Sequence, residues 1–234
     1  MITTDRPQWI QQRIVQDEID RYLPAGGGDF IPDGEIFRLL GETGEPSAAR
    51  VRELIAKALA VETLTLAELA ELMRVRDEGL WDEMRAAAGA VKHKVYDNRI
   101  VTFAPLYLGS KCVNDCEYCG LRRSNPAVAR RVLAMDAVRA ETEALAGRLG
   151  HKRLIVVYGE HPDSGVDYSA ESIREVYSVK VPARRGVGQI RRVNVNAAPM
   201  RIDELKILHG CGLGTFQVFQ ETYDRRAYAR VHPA

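Results

Sequence analysis

What the sequence lacks narrows its function first. Its 234 residues contain only four cysteines, too few and too unevenly placed for a disulfide framework, so a reducing compartment and a metal are expected instead. Neither charge is in excess. With 33 basic and 32 acidic residues and a net charge of +1, there is no electrostatic case for nucleic acid or an anionic membrane surface. No apolar run approaches the roughly 20 residues needed to span a bilayer. The start, Met1-Ile-Thr-Thr-Asp-Arg-Pro, has no basic-then-apolar secretory pattern. Short-period repeats and low-complexity tracts are missing too. The expectation is a soluble, cytoplasmic protein with no nucleic-acid or membrane partner, long enough for one large domain or two small ones.

Residues 1–95 are charged and carry helical periodicity, which predicts a helical N-terminal extension. Trp9, Ile10, Ile14, Val15 and Ile19 recur near helical spacing over Arg6 to Tyr22, and Pro24 with Gly26-Gly27-Gly28 predicts the stop. Asp33 to Leu40 predicts a short helix, and Pro46-Ser47 opens another carrying Val51, Leu54, Ile55, Ala58 and Leu59. Thr65-Leu-Ala-Glu68 has the form of a capping box, in which each side chain satisfies an amide at the other's end of the first turn. A further helix is predicted from Asp77 to about Lys94, with His93 on its surface. Nothing in this region forms a metal-binding or nucleophilic cluster.

From about residue 96 the pattern changes to strand and helix in alternation, which predicts parallel βα units over 96–234. Strands are expected at Ile100–Leu106, Arg153–Tyr158, Ile190–Asn196 and Gly214–Phe219. Helices are expected at Asp136–Leu149 with Asp136 as N-cap, at Ser169–Tyr177, at Ile202–Leu208 and from Arg225 to Val231. His209-Gly210-Cys211-Gly212 supplies a glycine stop. Four units are half of an eight-stranded parallel barrel, which runs to about 250 residues. The fold class is therefore α/β: the first four units of a (β/α)8 barrel after a helical extension, with the second half expected beyond Ala234.

The remaining three cysteines, Cys112, Cys116 and Cys119, lie within eight residues, directly after the first predicted strand. Three thiolates on one short loop can hold three corners of a cubane iron–sulfur cluster and leave its fourth iron open. This differs from a four-cysteine electron-transfer site. A structural zinc is the competing reading, but zinc needs a fourth ligand, and Cys211 at a helix stop is a poor candidate. Cys211 is expected to be a small buried residue.

The other predicted strands also end in polar residues: Gly159-Glu160-His161-Pro162, Asn194-Val-Asn196-Ala-Ala-Pro199, and Gln217-Val-Phe-Gln220-Glu221-Thr-Tyr223. Parallel βα folds bind their ligands beyond the carboxyl ends of the strands, so all four ends would meet on one face. Asn194 and Asn196 alternate along a strand and can face the same way. Buried amides there need partners, and Asn196, nearer the strand end, is the better placed. His161 reads equally as a turn or a site residue, and Arg122-Arg123 reads as a solvated pair ahead of a contact for the acidic surface of a reductant.

The Cys112, Cys116, Cys119 spacing, with aromatic Tyr118 before the third cysteine, resembles the radical S-adenosylmethionine (SAM) superfamily. More specifically, Cys112-Val-Asn-Asp-Cys116-Glu-Tyr-Cys119-Gly-Leu-Arg-Arg-Ser-Asn, Val157-Tyr-Gly-Glu-His-Pro, Arg191-Arg-Val-Asn-Val-Asn-Ala-Ala-Pro199 and Phe216-Gln-Val-Phe-Gln-Glu-Thr-Tyr223 together resemble the HydG family, tyrosine lyases of [FeFe]-hydrogenase maturation. The ThiH family of thiazole synthesis is similar in the cysteine loop and Gln-Glu-Thr-Tyr, and Asn-Val-Asn-Ala-Ala-Pro favours HydG.

The resemblance implies a 4Fe-4S cluster on Cys112, Cys116 and Cys119, with SAM chelated at the open iron. It implies SAM contacts from Tyr118, Gly159, Glu160 and Asn196, and a ribose contact from Glu221. Reductive cleavage of SAM would release a 5′-deoxyadenosyl radical. The radical would cleave L-tyrosine into p-cresol and dehydroglycine (2-iminoacetate), leading to carbon monoxide and cyanide for the hydrogenase. A ferredoxin or flavodoxin reductant and hydrogenase maturation proteins are the implied partners. The departure from the family is at Ala234, where the second half of the barrel and a second cysteine motif would follow. The alternatives are a cluster-binding fragment without turnover and a ThiH-like 2-iminoacetate synthase.

Overall fold

The computed structural model describes residues 6–26, 28 and 30–233. Met1–Asp5, Gly27 of the predicted glycine stop, Ala234 and the side chain of Ile10 lie outside the described residues. The chain divides into two compact units, Gln16–Val101, and Thr102–Ala234 together with Met1–Val15.

The helix predicted over Arg6 to Tyr22 is instead two, α1 (Arg6–Arg13) and α2 (Gln16–Asp20), which fall in different units. The break comes at Ile14-Val15, two β-branched residues that lose side-chain freedom in a helix. The unit of residues 16–101 continues with α3 (Asp33–Glu42), α4 (Ala48–Leu59), α5 (Leu66–Leu72) and α6 (Glu78–Tyr96). Each of the last three starts on a side-chain cap. Ser47 accepts from the Arg50 amide, and Asp77 from the Leu80 amide at 2.8 Å. The Thr65–Glu68 box closes in both directions, as its sequence predicted. Val51, Val75 and Leu80 are buried at the centre, with Ile55, Leu72, Trp81 and Met84 packed around them. Full burial of such a side chain is worth about 1.5–3 kcal/mol. His93 is exposed.

In the other unit, β1 (Ala104–Gly109), α7 (Met135–Glu143), β2 (Arg153–Tyr158) and α8 (Val166–Ser178) are followed by a hairpin, β3 (Val181–Pro182) and β4 (Val187–Gly188). Then come β5 (Arg192–Asn196), α9 (Ile202–Gly210), β6 (Phe216–Gln217) and α10 (Arg225–Val231). The main sheet has the order β1-β2-β5-β6, and all three pairings are parallel. The four predicted strands therefore pair in chain order, as parallel βα units require. Their bounds shift: the first strand starts at Ala104 rather than Ile100, and the last is only two residues long.

Alternation then sorts the two faces of the sheet. Leu106, Leu108, Leu154, Val156, Val193 and Val195 are buried together with Val138, Ile173, Val176 and Leu208 of the helices. The opposite face carries Tyr107, Val157, Asn196 and Gln217, which the register places side by side across the four strands.

Two local corrections have physical causes. Asp136 is not the N-cap of α7; Ala134 holds that position without a side-chain bond. Asp136 sits one residue inside the helix, where a carboxylate still favours the positive end of the helix dipole. The helix also does not run as α-helix to Leu149, because Ala144–Arg148 form a π-helical turn. The β3–β4 hairpin seats on that turn. A β-carbon at Gly188 would lie 2.5 Å from the Ala146 carbonyl oxygen, so only glycine permits the approach.

Candidate active site

The cysteine loop leaves β1 at Gly109 and returns beside it. Gly109 bridges Val132 in antiparallel fashion, the Ser110 amide donates to the Arg131 carbonyl at 2.8 Å, and the Leu133 amide to the Leu108 carbonyl at 2.9 Å. Inside this closed mouth one side chain organises the loop. The Arg130 guanidinium donates to the carbonyls of Ser110 at 2.8 Å, Leu121 at 2.6 Å and Asn125 at 2.9 Å, and also to that of Arg122. A planar fork with five N–H donors suits four carbonyls better than any other side chain.

Cys112, Cys116 and Cys119 are all unpaired and partly buried. Burial pushes the Cys112 thiol up, against the pull of the Asn114 and Glu160 amides. Burial also raises Cys116, with the charges of Cys112 and Cys119 adding to it. Each thiol thus lies in the field of the others. Such a group gives up its protons to a cation that binds the thiolates. Among the described residues, no three His, Cys, Asp or Glu side chains converge where a single ion could sit. A cubane does not ask for that convergence, because each thiolate caps a different iron.

Gly159 and Glu160 follow β2 and lie directly against this loop. The Gly159 amide donates to the Gly109 carbonyl at 2.8 Å, and the Val113 amide to the Glu160 carbonyl at 2.8 Å. The Asn114 side-chain amide donates to Glu160 Oε2 at 2.6 Å. A β-carbon on Gly159 would lie 2.2 Å from the Lys111 carbonyl oxygen and 3.2 Å from Cys112 Cβ. Just beyond, Lys111 pairs with Asp163 at 2.6 Å. His161 accepts from the Asp163 amide and so caps the short turn Pro162–Ser164, which is the turn role of its two sequence readings. Arg122 is partly buried and donates to the Cys119 carbonyl at 3.2 Å, so it is not simply solvated.

The third and fourth strands carry amides on the sheet face opposite the helices, Asn196 beside Gln217 in register and the Asn194 side chain against Gly214. Asn194 Oδ1 and Gln217 Oε1 are buried without a hydrogen-bond partner. Buried carbonyl groups rarely stay unpaired, so these two acceptors point to a ligand donor or ordered water. Asn196 is partly buried and pairs in register with both Val157 and Gln217. Of the two asparagines, the unpartnered acceptor is on Asn194, not on Asn196. Glu221 sits four residues beyond β6 with φ +65°, a left-handed conformation that costs a non-glycine residue free energy. Its charge, after partial burial and that of Cys116, helps push the Tyr118 phenol up to about 12. Glu221 thus contributes negative charge to the surroundings of the cysteine loop. Sequence reasoning assigned no role to Arg130, Asn114 or Lys111, and placed Gln217 at a polar strand end without a role of its own. All four lie in or beside motifs; the partners of Asn114 and Lys111 are 46 and 52 residues away, and Arg130 acts on carbonyls, which leave no sequence signal.

With this geometry in place, comparison with known proteins decides the family. Residues 106–234 match the model of the radical SAM superfamily. The chain belongs to the radical SAM superfamily. Its parallel sheet and helices form a partial radical SAM barrel, with a helical region before it. The structure is similar to HydG, a maturase of the [FeFe]-hydrogenase, with a TM-score of 0.81 and 42% identity over 88% of this chain and 44% of that one. It is also similar to HydG from Carboxydothermus hydrogenoformans, with a TM-score of 0.72 and 32% identity over 86% of this chain and 45% of that one. In sequence it is 29% identical to 2-iminoacetate synthase of Escherichia coli (strain K12) over 76% of this chain and 44% of the relative. The chain thus spans less than half the length of these relatives. Radical SAM proteins bind a 4Fe-4S cluster and SAM. The residues present fit both groups, with three thiols on a pinned loop, a glycine whose missing side chain admits that loop, and two unpartnered amide acceptors. Among the described residues, no helix is long and apolar enough to cross a membrane.

Proposed function

We propose that this radical SAM chain serves tyrosine cleavage of the HydG type, with Cys112, Cys116 and Cys119 holding the cluster. The observation that carries the assignment of the site is the docking of Gly159-Glu160 on the cysteine loop, through a contact that only glycine allows and the 2.6 Å Asn114–Glu160 bond. When bound, the reduced cluster supplies the electron that splits SAM.

The chain's own residues do the rest. The Arg130-pinned loop fixes the three thiols relative to the strand ends. Glu160, held by Asn114, presents a carboxylate that can accept from the SAM amino group. Tyr118, half-exposed beside the cysteines, offers a ring against which a planar base can stack. Glu221 can accept from ribose hydroxyls, and Asn194, Asn196 and Gln217 offer amide groups on the face that would hold the substrate. L-tyrosine as substrate, 2-iminoacetate as product, a ferredoxin or flavodoxin as electron donor, and delivery to hydrogenase maturation proteins all follow from the likeness to HydG and to 2-iminoacetate synthase. A reducing cytoplasm suits the free thiols.

The test is anaerobic. The chain is reconstituted with iron and sulfide, SAM, L-tyrosine and dithionite are added, and products are read by mass spectrometry. 5′-Deoxyadenosine with p-cresol is the expected result. 5′-Deoxyadenosine alone keeps the SAM site and removes tyrosine cleavage from this chain. Neither product leaves a cluster-binding segment without turnover.

A further inference from the structure

One contact joins the cysteine loop to the far end of the chain. Tyr118 Oη and His232 Nε2 are 2.6 Å apart, across 114 residues of sequence. The direction of this bond follows from the other ring nitrogen. His232 Nδ1 lies 2.9 Å from the backbone carbonyl oxygen of Tyr228. A carbonyl can only accept, so Nδ1 carries the hydrogen. In the neutral ring Nε2 is then bare, and the Tyr118 hydroxyl donates to it.

The imidazole is itself fixed. It stacks on Tyr228 with ring centres 4.0 Å apart and planes 23° apart, and it meets the Tyr118 ring edge-on at 5.3 Å and 78°. The backbone makes a second tie, the Glu117 amide donating to the Val231 carbonyl at 2.9 Å. α10, which carries Tyr228, is capped by Asp224, whose carboxylate accepts from the Ala227 amide at 2.7 Å. Tyr118 is 51% exposed despite these contacts, so the latch holds its hydroxyl and leaves much of its ring open. An exposed tyrosine without such a hold would sample several rotamers, and ordering it on binding would cost free energy.

We propose that His232 is a positioning residue. By accepting from the Tyr118 hydroxyl it holds that ring in the orientation that stacks on the adenine of SAM, and it couples the segment after the fourth strand to the cysteine loop. This inference rests on the radical SAM reading of that loop. The ring of His232 meets Tyr118 and Tyr228, and it acts on SAM through Tyr118.

The test compares His232→Phe, which keeps a ring on Tyr228 but removes the acceptor, with His232→Gln, which restores an acceptor at similar reach. Tyr118→Phe and the double variant Tyr118→Phe/His232→Phe complete a cycle. SAM affinity is read from the SAM-induced change in the electron paramagnetic resonance signal of the reduced cluster, beside iron content and thermal midpoint. His232→Phe should keep its iron and weaken SAM about tenfold, as the loss of one hydrogen-bonded constraint implies. His232→Gln should recover most of that affinity. Tyr118→Phe should show the same loss, and the double variant no further loss.

Unchanged SAM affinity in His232→Phe, or additive losses in the cycle, would overturn the proposal. Loss of iron or of cooperative melting in both His232 variants would also overturn it, because the residue would then be holding the fold. A wild-type chain that shows no SAM-induced change removes the proposed SAM site from this chain instead. The latch is then decided on the metal-free chain. Amide exchange at Glu117, read by hydrogen–deuterium mass spectrometry, should accelerate severalfold in His232→Phe, and an unchanged rate would overturn the latch.

Discussion

The carbonyl oxygen of Lys111 lies 2.2 Å from the point where Gly159 would carry a β-carbon. The strand-two turn and the cysteine loop are thus in van der Waals contact through a missing side chain. Gly159→Ala must push the two apart. Overpacking of this kind costs about 1–3 kcal/mol, and because the atom displaced is backbone, the shift passes straight to Cys112. The expected outcome is a lower thermal midpoint together with reduced iron uptake, measured by denaturation and iron analysis on the same preparation.

The cysteines divide three to one. Cys112→Ala, Cys116→Ala and Cys119→Ala should each abolish reductive SAM cleavage and lower iron and sulfide content. Cys211 is buried, and its thiol donates to the Ile207 carbonyl at 3.2 Å. Cys211→Ala should keep the cluster and cost stability only, on the order of 1 kcal/mol for a small buried group. Iron and sulfide assays of the four variants check this. A full cluster in any of the first three would remove that cysteine from the ligand set.

Asn114 and Glu160 form a bond between an amide and a carboxylate, a type worth about 1.5–3 kcal/mol. Asn114→Ala should leave cluster assembly near normal and weaken SAM by at least about tenfold, because Glu160 loses the group that aims it. Asn114→Asp should be worse, since two carboxylates would then share the contact. Equilibrium binding of SAM to the reconstituted protein separates these outcomes from cluster loss.

Arg130 donates to four carbonyls of one loop. Arg130→Lys keeps the charge but not the planar fork. The loop should become cleavable between Cys119 and Val132, with at least about 2 kcal/mol of stability lost from unsatisfied carbonyls. Limited proteolysis with mass mapping reads the first effect and denaturant unfolding the second.

Glu68 supplies a pH dependence in the unit of residues 16–101. The Lys57 ammonium, then the Thr65 amide, hold its carboxyl at about 2 against an ordinary 4.5. A carboxyl with a depressed folded-state value stabilises above its unfolded value and loses that contribution as pH falls through the folded one. Stability should therefore decline between about pH 4.5 and pH 2, and Glu68→Gln should flatten that slope. Trp81 fluorescence in a Trp9→Phe background follows this unit during acid titration.

The parallel sheet was legible because each strand is an apolar run followed by polar residues, and because apolar periodicity marked the helices between. Arg153–Tyr158 was bounded correctly for that reason. The β3–β4 hairpin was not legible: two residues a side, one of them Pro182, leave no alternation to detect. The split at Ile14-Val15 was hidden because β-branched residues fit an apolar helical face while weakening the helix itself. At the site, the cysteine spacing and Gly159-Glu160 could be read locally. Arg130 could not, since an arginine in a polar loop reads as solvated until its carbonyl partners are known. Tyr118 and His232 lie at opposite ends of the second unit, and only the fold brings them together.

The returning segment at Val132 has a consequence for the edges of the sheet. β1 is an outer strand, but its tip is occupied by Val132 and Leu133, and Pro105 within it lacks an amide hydrogen. Both features blunt a strand as a template for another chain. At β6, the other outer strand, no described residue makes such a bridge, and Val218 and Phe219 beside it are half-exposed. Strand addition to this sheet is therefore favoured from the β6 side.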